Sequence, residues 1–323
     1  TSHDPDPEEA KPDSLKDKNP KPIVVDRYAF KRDYAGYLNR QRDHLWIVDV
    51  ATKKGVQLTT GDFGDRMPRW SPDGRRIAFV SRREGKDPDR ENNSDVYVVD
   101  AVAGSTPQRL TSWRGDDSEP VWSPDGAWIA YLQSGEPQLS AYAQETIAVI
   151  PSTGGTPRLL AATLDRDVGD LSWTPDGRTI RFILGDDRAV HLATVPAEGG
   201  AVTRLIDGRR VIWTYDAAPD GRLVARAATA TTTPELFAVE KGALRALTHV
   251  NDSLLAQLAL GTTEDVDFKN KDGLTVGALL VKPAGFQAGK KYPLLLWIHG
   301  GPNGQDQHAF AFQHVVDLLL HLV

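Results

Sequence analysis

The stretch RWSPDGRRIAFVS, residues 69–81, decides the fold of this chain because closely similar stretches follow it three times. They are VWSPDGAWIAYLQ at 121–133, SWTPDGRTIRFIL at 172–184 and DAAPDGRLVARAA at 216–228. The prolines at 72, 124, 175 and 219 are spaced 52, 51 and 44 residues apart, close to the period of about 40–50 residues of four-stranded propeller blades. The repeat therefore predicts a β-propeller.

Each repeat combines a tight turn with a strand. Proline presets the first central position of the turn, aspartate bonds to the backbone nearby, and glycine adopts the positive φ that closes the turn. The alternating run that follows is typical of a strand with at least one buried face. We therefore interpret the repeated aspartates as turn residues and the preceding tryptophans as packing between blades, not as ligands: Asp73, Asp125, Asp176 and Asp220, and Trp70, Trp122 and Trp173.

Two further strand-like elements recur between the turns. The first occurs as LWIVDV from Leu45, VYVVDA from Val96, TIAVIPS from Thr146, HLATVPA from His191 and LFAVEK from Leu236. The second occurs as VQLTTG from Val56, QRLTS from Gln108, PRLLA from Pro157, VTRLID from Val202 and LRALTH from Leu244. Four turns and five of these later elements predict four to five blades within residues 23–260.

The composition is that of a globular protein, except in residues 1–22. Of 323 residues, 40% are hydrophobic and 25% charged, which is enough for a sizeable core. Residues 1–22 are rich in Pro, Asp, Glu and Lys, and we interpret them as a flexible linker or exposed loop. The net charge of −6 disfavours nucleic acid and anionic lipid as partners, and no apolar run approaches the roughly 20 residues of a membrane span. No cysteine is present to form a disulfide or ligate a metal.

After residue 260 the repeat stops and a different pattern begins in residues 261–323. EDVDFKNKDGLTVGALLVKPAGF, residues 264–286, predicts a hairpin that turns at Lys271–Gly273. The apolar run Leu294–Ile298 predicts a central strand covered on both faces, and residues 309–323 have the period of a helix. The predicted strand ends in a glycine-rich loop, His299-Gly300-Gly301-Pro302. The carboxyl end of such a strand is where open α/β sheets place their chemistry.

Three interpretations of this loop compete. A phosphate loop is disfavoured because both common phosphate-binding glycine spacings are missing. A plain turn is the simple alternative. The favoured interpretation is an oxyanion hole, in which main-chain N–H groups unhindered by Cβ atoms approach a developing negative charge.

In this order, the elements resemble the prolyl oligopeptidase family of serine peptidases, in particular its acylaminoacyl-peptidase-like and dipeptidyl-peptidase-like members. The resemblance extends from the Trp-Ser-Pro-Asp-Gly strands to YPLLLWIHGGPNGQ at 292–305. It implies a propeller followed by the opening strands of an α/β-hydrolase domain. It also implies that Gly301 supplies one oxyanion N–H, next to Gly300, and that His299 braces the loop. Neither a cofactor nor a metal is implied.

The chain departs from the family pattern in one major respect, because it contains no G-x-S-x-G nucleophile motif. We expect the catalytic serine, aspartate and histidine to lie outside these residues. Truncation, a nicked protein with the catalytic part as a separate chain, and natural loss of activity remain open explanations. The resemblance implies hydrolysis of short peptides or acyl-peptides. The alternatives are a non-catalytic propeller that binds peptides or a protein partner, and an esterase, which the large propeller disfavours.

Two groups of side chains are candidates for further sites. For His308 and His314, surface or helix packing is favoured over metal binding. The acidic stretch Asp87–Asp95 is interpreted as a solvated loop, and its alternative role, implied by the resemblance, is to hold a peptide amino terminus through Glu91. The compartment, cytoplasm or periplasm, and the oligomeric state, including a homo-oligomer, stay open.

Overall fold

The computed structural model of the chain describes residues 2–3, 22–91, 93–139, 142–301 and 303–310. Its contacts separate into two units, Thr1–Ala162 and Thr163–Val323. The division falls inside the region predicted as propeller, and each unit contains complete copies of the repeat. The domain boundary predicted at residues 260–261 stays a prediction. Residues 4–21 of the predicted linker, and most of the predicted helix, lie outside the described residues.

The described part of the first unit is built from short strands and one turn of 3₁₀ helix, Pro137–Leu139. The strands are β1 (Ser2–His3), β2 (Lys31–Arg32), β3 (Gly36–Tyr37), β4 (Asp43–His44), β5 (Trp46–Val48), β6 (Gly55–Gln57), β7 (Asp65–Trp70), β8 (Arg76–Ser81), β9 (Asp95–Asp100), β10 (Gln108–Arg109), β11 (Asp117–Trp122), β12 (Trp128–Gln133), β13 (Thr146–Pro151) and β14 (Arg158–Leu160).

Two four-stranded antiparallel sheets dominate this unit. Blade 1 consists of β7 to β10 and blade 2 of β11 to β14, each strand pairing with the next along the chain. Before them, β5 pairs with β6, β2 with β3, and β1 with β4. The β5–β6 pair carries the same two sequence elements as the last two strands of a complete blade. It is therefore the outer part of a further blade.

The described part of the second unit repeats the plan with longer strands. They are β15 (Val168–Trp173), β16 (Thr179–Asp186), β17 (Ala189–Pro196), β18 (Thr203–Ile206), β19 (Val211–Ala217), β20 (Leu223–Thr229), β21 (Thr232–Glu240), β22 (Ala243–Ala246), β23 (Thr262–Lys269) and β24 (Thr275–Lys282), with one short helix, α1 (Asp252–Leu255). Blade 3 consists of β15 to β18 and blade 4 of β19 to β22. One parallel pairing, Val190 with Val211, joins β17 of blade 3 to β19 of blade 4.

The strand assignment confirms the β-propeller prediction. In all four complete blades, the Pro-Asp-Gly turn joins the first strand to the second, and the two other recurring elements form the third and fourth strands. Four complete blades and one strand pair agree with the four to five predicted from the repeats.

The aspartates of these turns act as predicted. In blade 1, Asp73 Oδ1 accepts hydrogen bonds from Ser71 Oγ at 2.6 Å and from the N–H of Arg75 at 3.1 Å. Gly74, at φ +68°, donates its own N–H to the carbonyl of Ser71 at 2.9 Å. The hydrogen bond from Ser71, and next that from Arg75, lower the pKa of Asp73. Side-chain or backbone bonds within the turn do the same for Asp125, Asp176 and Asp220.

Of the tryptophans before the turns, Trp122 packs between blades as predicted and Trp70 does not. Trp122 is 6% exposed, donates from Nε1 to the carbonyl of Arg69 in blade 1 at 3.0 Å, and lies 4.8 Å beneath the guanidinium of Arg76. The prediction is wrong for Trp70, which is 52% exposed. The sheet before blade 1 has only β5 and β6 among the described residues, so it leaves this indole uncovered.

Apolar side chains of the second and third strands form the cores. One cluster links blades 1 and 2 within the first unit, and a second fills blades 3 and 4 of the second unit. The members of the first are Ala78, Val96, Val98, Leu110, Trp122, Ile129, Tyr131, Ala148 and Ile150. Those of the second are Leu192, Ile206, Ile212, Tyr215, Leu223, Ala225 and Ala227.

The predicted hairpin after the repeats forms. β23 and β24 pair over eight residue pairs, from Thr262 with Lys282 to Lys269 with Thr275. At the turn, Asn270 Oδ1 accepts the N–H groups of Asp272 and Leu274, both at 2.9 Å, while Gly273 takes φ +82°. Glycine therefore occupies the turn position that requires a positive φ, as the sequence predicts.

The predicted buried strand Leu294–Ile298 does not form in this structure. The segment has no strand assignment, and its side chains are 49–84% exposed. A central strand needs neighbours on both edges, and the described residues provide no strand beside it. Across the described ranges, no helix is long and apolar enough to cross a membrane.

Candidate active-site loop

The glycine-rich loop predicted as catalytic is exposed and sharply bent. All of its described residues, His299–Gly301 and Asn303–Gly304, are exposed to solvent; Pro302 lies outside the described residues. Gly301 has φ +144°, and a Cβ added there would lie 2.6 Å from the backbone nitrogens of both Asn303 and Gly304. No side chain fits at that separation, so the bend requires glycine at this position.

The rest of the bend is equally close-packed against its own backbone. A Cβ on Gly304 would lie 2.5 Å from the carbonyl oxygen of Gly300. His299 Nδ1 lies 3.0 Å from that same oxygen, a hydrogen bond in which Nδ1 carries the proton and donates it. The imidazole contact is therefore local to the loop, as a bracing role requires.

The backbone of Gly301 has the features that an oxyanion donor needs. Within the part of the chain that the structure describes, the Gly301 N–H donates to no backbone oxygen. Gly301 itself carries no Cβ, and the described residues of the loop are exposed to solvent. A negatively charged oxygen can approach such an amide closely, and this is the chemistry that glycine-rich loops offer acyl transfer.

The chain that follows the loop is fixed by His308. This side chain is 3% exposed, and its Nε2 lies 2.8 Å from Oδ1 of Asp265 on β23. Its backbone N–H donates to the carbonyl of Arg188 at 2.7 Å. The expected packing role is thus realised in a buried polar contact. His314 lies outside the described residues.

Sequence reasoning did not identify Arg188 or Asp265. Arg188 occupies the turn between β16 and β17 with φ +65°, a conformation that is uncommon for a residue with a side chain. Asp265 lies on an exposed hairpin strand, and nothing in its local sequence distinguishes it from neighbouring acidic residues. Their roles become visible only in the folded structure, where both contact His308, which is far from each of them in the sequence.

A charged cleft of about 570 Å³ lies beside His308 in the second unit. Its side chains include His191, whose pKa is lowered by burial and then by the nearby charge of Arg204. Of the three arginines that line it, Arg166 and Arg204 pair with Asp186, and Arg209 pairs with Asp265. Among the described residues no group of three His, Asp or Glu side chains is arranged to hold a metal.

The acidic stretch Asp87–Asp95 is more structured than a solvated loop, and the interpretation is wrong for Asp89. The Asp89 side chain is 6% exposed and bonds bidentately to Arg27, at 2.5 and 2.7 Å, with Arg42 Nη1 3.3 Å away. The hydrogen bond from Arg27 lowers the pKa of Asp89 to about 2, although burial opposes the shift. Asp89 thus fastens the segment before β2 to the loop of blade 1. The role considered for Glu91 stays a prediction.

Comparison with known proteins places these features in a family. Residues 39–252 match the TolB beta propeller domain. Dipeptidyl-peptidase 5 of Porphyromonas gingivalis is 28% identical over 251 residues, covering 76% of this chain and 36% of the relative. Dipeptidyl-peptidase 5 of Aspergillus fumigatus is 28% identical over 256 residues, covering 72% and 34%. The chain therefore spans about a third of the length of these curated relatives.

Solved structures share the fold. Acylaminoacyl peptidase of Pyrococcus horikoshii superposes with a TM-score of 0.73 at 20% identity, over 93% of this chain and 45% of that one. A puromycin hydrolase variant superposes with a TM-score of 0.56 at 18% identity, over 75% and 38%. At these identities the likeness concerns architecture, and it agrees with the blades, the hairpin and their order. The chain thus belongs to the TolB beta propeller domain family, and its dipeptidyl-peptidase relatives support the predicted resemblance to the prolyl oligopeptidase family of serine peptidases.

Proposed function

We propose that this chain is the propeller and oxyanion-loop portion of a serine peptidase that hydrolyses short peptides or acyl-peptides through an acyl-enzyme. The observation that carries the proposal is the bend at Gly301, exposed and free of any Cβ, with a backbone N–H that donates to no backbone oxygen among the described residues. The names of the relatives, dipeptidyl-peptidase and acylaminoacyl peptidase, support this substrate class.

In the proposed reaction a serine outside these 323 residues attacks the substrate carbonyl while a histidine, oriented by an aspartate, accepts the serine proton. Negative charge then develops on the former carbonyl oxygen. The Gly301 N–H stabilises that oxygen, and a single donor of this kind contributes about 2.7–4 kcal/mol to lowering the barrier. Water hydrolyses the acyl-enzyme in the second half of the reaction.

His299 and Gly300 have supporting roles in this proposal. The bond between His299 Nδ1 and the Gly300 carbonyl ties the imidazole to the backbone of the loop. The contact lies within the loop and supports a bracing role for His299, and the proposal assigns the general base to a histidine outside these 323 residues.

The test uses the full-length parent protein and this 323-residue chain side by side. The parent should hydrolyse short chromogenic peptide or acyl-amino-acid substrates and should be labelled and silenced by a fluorophosphonate. The isolated chain should do neither, because the nucleophile lies elsewhere. A full-length parent that neither turns over these substrates nor reacts with the probe would favour the rival function, a propeller that binds peptides or a protein partner without catalysis.

A further inference from the structure

We infer that Arg188, Asp265 and His308 form a junction that positions the glycine-rich loop for catalysis, an inference that rests on the proposed function. None of the three touches the reacting atoms, so each is a positioning residue. The junction joins the turn between β16 and β17 in blade 3, the hairpin strand β23, and the chain that leaves the loop.

His308 is the point at which the loop is attached. Its N–H donates to the Arg188 carbonyl at 2.7 Å, and its Nε2 lies 2.8 Å from Asp265 Oδ1. The residue is 3% exposed, so its own polar atoms are largely shielded from bulk water. Backbone and side chain are therefore both held, which fixes the orientation of this residue as well as its place.

Arg188 connects the blade to both strands of the hairpin. Its guanidinium donates to the carbonyl of Ala278 on β24 at 3.0 Å and pairs with Asp267 Oδ1 on β23 at 3.0 Å. A Cβ on Gly277 would lie 3.3 Å from the Arg188 Cζ, so the bare glycine lets the planar group lie against the strand. The Arg188 side chain is 9% exposed whereas Asp267 is 58% exposed, so burial shields the guanidinium more than its partner carboxylate.

Asp265 completes the junction as a charged acceptor. Its Oδ2 lies 2.6 Å from Arg209 Nη2, while Oδ1 faces His308. Burial raises the pKa of Asp265, but the bond to His308 and the nearby positive charges outweigh burial and hold it below its ordinary value. The group is therefore an ionised carboxylate at neutral pH, shared between a histidine and two arginines.

The junction controls the loop because of its place along the chain. His308 follows Gly304 by four residues and Gly301 by seven, so Gly301 stays within about 25 Å of the attachment point, at about 3.6 Å per residue. On the other side of the loop, Leu294–Ile298 is exposed and has no strand partner among the described residues. Within the described chain the loop is thus held from the His308 side, and misplacing a catalytic group by about 1 Å costs about a hundredfold in rate.

The kinetic test uses the full-length parent with Asp265→Asn, His308→Ala and His308→Gln. The first two should lower kcat for a short chromogenic peptide about tenfold or more, with KM changed less than about twofold, because substrate still binds while the oxyanion donor is misplaced. His308→Gln should recover most of kcat, since its amide can donate to Asp265 and its backbone bond is kept. The control Glu240→Gln removes an exposed ion pair with Arg245 on blade 4 and should leave both constants unchanged.

A second measurement does not depend on activity. Hydrogen exchange on the 323-residue chain should show the amides of residues 303–310 exchanging about tenfold faster or more in Asp265→Asn, with blade amides unaltered. Unchanged exchange in that segment, or wild-type kcat in a folded Asp265→Asn and His308→Ala, would overturn the inference. A wild-type parent without turnover or fluorophosphonate labelling would instead refute the proposed function, and the exchange experiment would still decide whether the junction holds the loop.

Discussion

Arg109 Nη2 lies 2.8 Å from Oδ2 of Asp95, a carboxylate with no exposed surface at the start of β9. The two charges are close, but the Oδ2 atom receives no aligned hydrogen bond. Burial raises the pKa of Asp95 to about 6 despite the nearby guanidinium. For Asp95, the effect of burial on the pKa is therefore larger than the effect of the ion pair with Arg109.

A second carboxylate in the same region, Asp117 at the start of β11, predicts a pH-dependent stability. Burial raises the pKa of Asp117 to about 7, the hydroxyl of Thr111 opposes this, and the charge of Asp95 adds to it. Because the folded pKa lies above the unfolded value of about 3.9, stability is full below pH 4 and is lost as pH rises toward 7. We expect the free energy of unfolding to fall by about 2–3 kcal/mol between pH 5 and pH 8.

Urea denaturation of the chain at both pH values measures this loss. Asp117→Asn, which cannot ionise, should remove most of it and raise stability at pH 8. Asp100→Asn, at the exposed end of β9, serves as the control and should leave the pH dependence intact. Equal stability of the wild-type chain at pH 5 and pH 8 would mean that Asp117 is not buried as the structure has it.

The lowered pKa of Asp89 predicts a pH dependence of stability opposite to that of Asp117. The hydrogen bond from Arg27 lowers its pKa to about 2, so its contribution is full above the unfolded value of about 3.9 and is lost as pH falls toward 2. Asp89→Asn should cost about 2–3 kcal/mol at neutral pH, because two arginines lose their shared carboxylate. The loss should be local, with trypsin cutting the released segment after Arg27, Lys31 or Arg32.

Limited proteolysis followed by mass spectrometry measures this release. Asp26→Asn, which removes the exposed pair with Arg40 in the same segment, is the matched control and should leave the cleavage rate near that of the wild-type chain. Cleavage as slow in Asp89→Asn as in the control would show that Asp89 does not fasten this segment.

Residues that act through local geometry could be predicted from the sequence. Asp73 and Gly74 form their turn from contacts within five residues, so their roles follow from the Pro-Asp-Gly pattern alone. Asp89 and His308 look equally ordinary in sequence, yet their partners Arg27 and Arg188 lie 62 and 120 residues away. Nothing in a local pattern encodes a contact at that distance.

The segment Leu294–Ile298 shows a second limit. The apolar composition of this segment predicts a buried strand. Burial of a strand depends on neighbouring elements, and the described residues place no strand beside it. In the loop that follows, a side chain is excluded at Gly301 by the bend itself, whereas nothing lies within 4 Å of a Cβ added at Gly300. Their catalytic role stays a prediction.

Gly126, in the blade 2 turn, tests the conformational argument for the repeats. It has φ +70°, and an added Cβ would meet only Pro72 Cδ at 3.7 Å, an ordinary contact. Gly126→Ala should therefore destabilise the chain by about 1–2 kcal/mol through backbone strain alone. Gly126→Asn should cost less, since asparagine tolerates this conformation. Equal losses in urea denaturation would point to a packing effect instead of the backbone.

Gly301 gives the sharpest prediction for the proposed chemistry. In the full-length parent, Gly301→Val should lower kcat about a hundredfold or more, because a side chain there collides with the nitrogens of Asn303 and Gly304 and moves the donor N–H. The loop is exposed and contributes no residue to the apolar clusters described above, so the melting temperature of the 323-residue chain should change little. Gly300→Ala should cost less turnover, since nothing lies within 4 Å of a Cβ added there. Steady-state kinetics and thermal melting measure the two effects, and wild-type turnover with normal melting in Gly301→Val would remove this residue from the oxyanion hole.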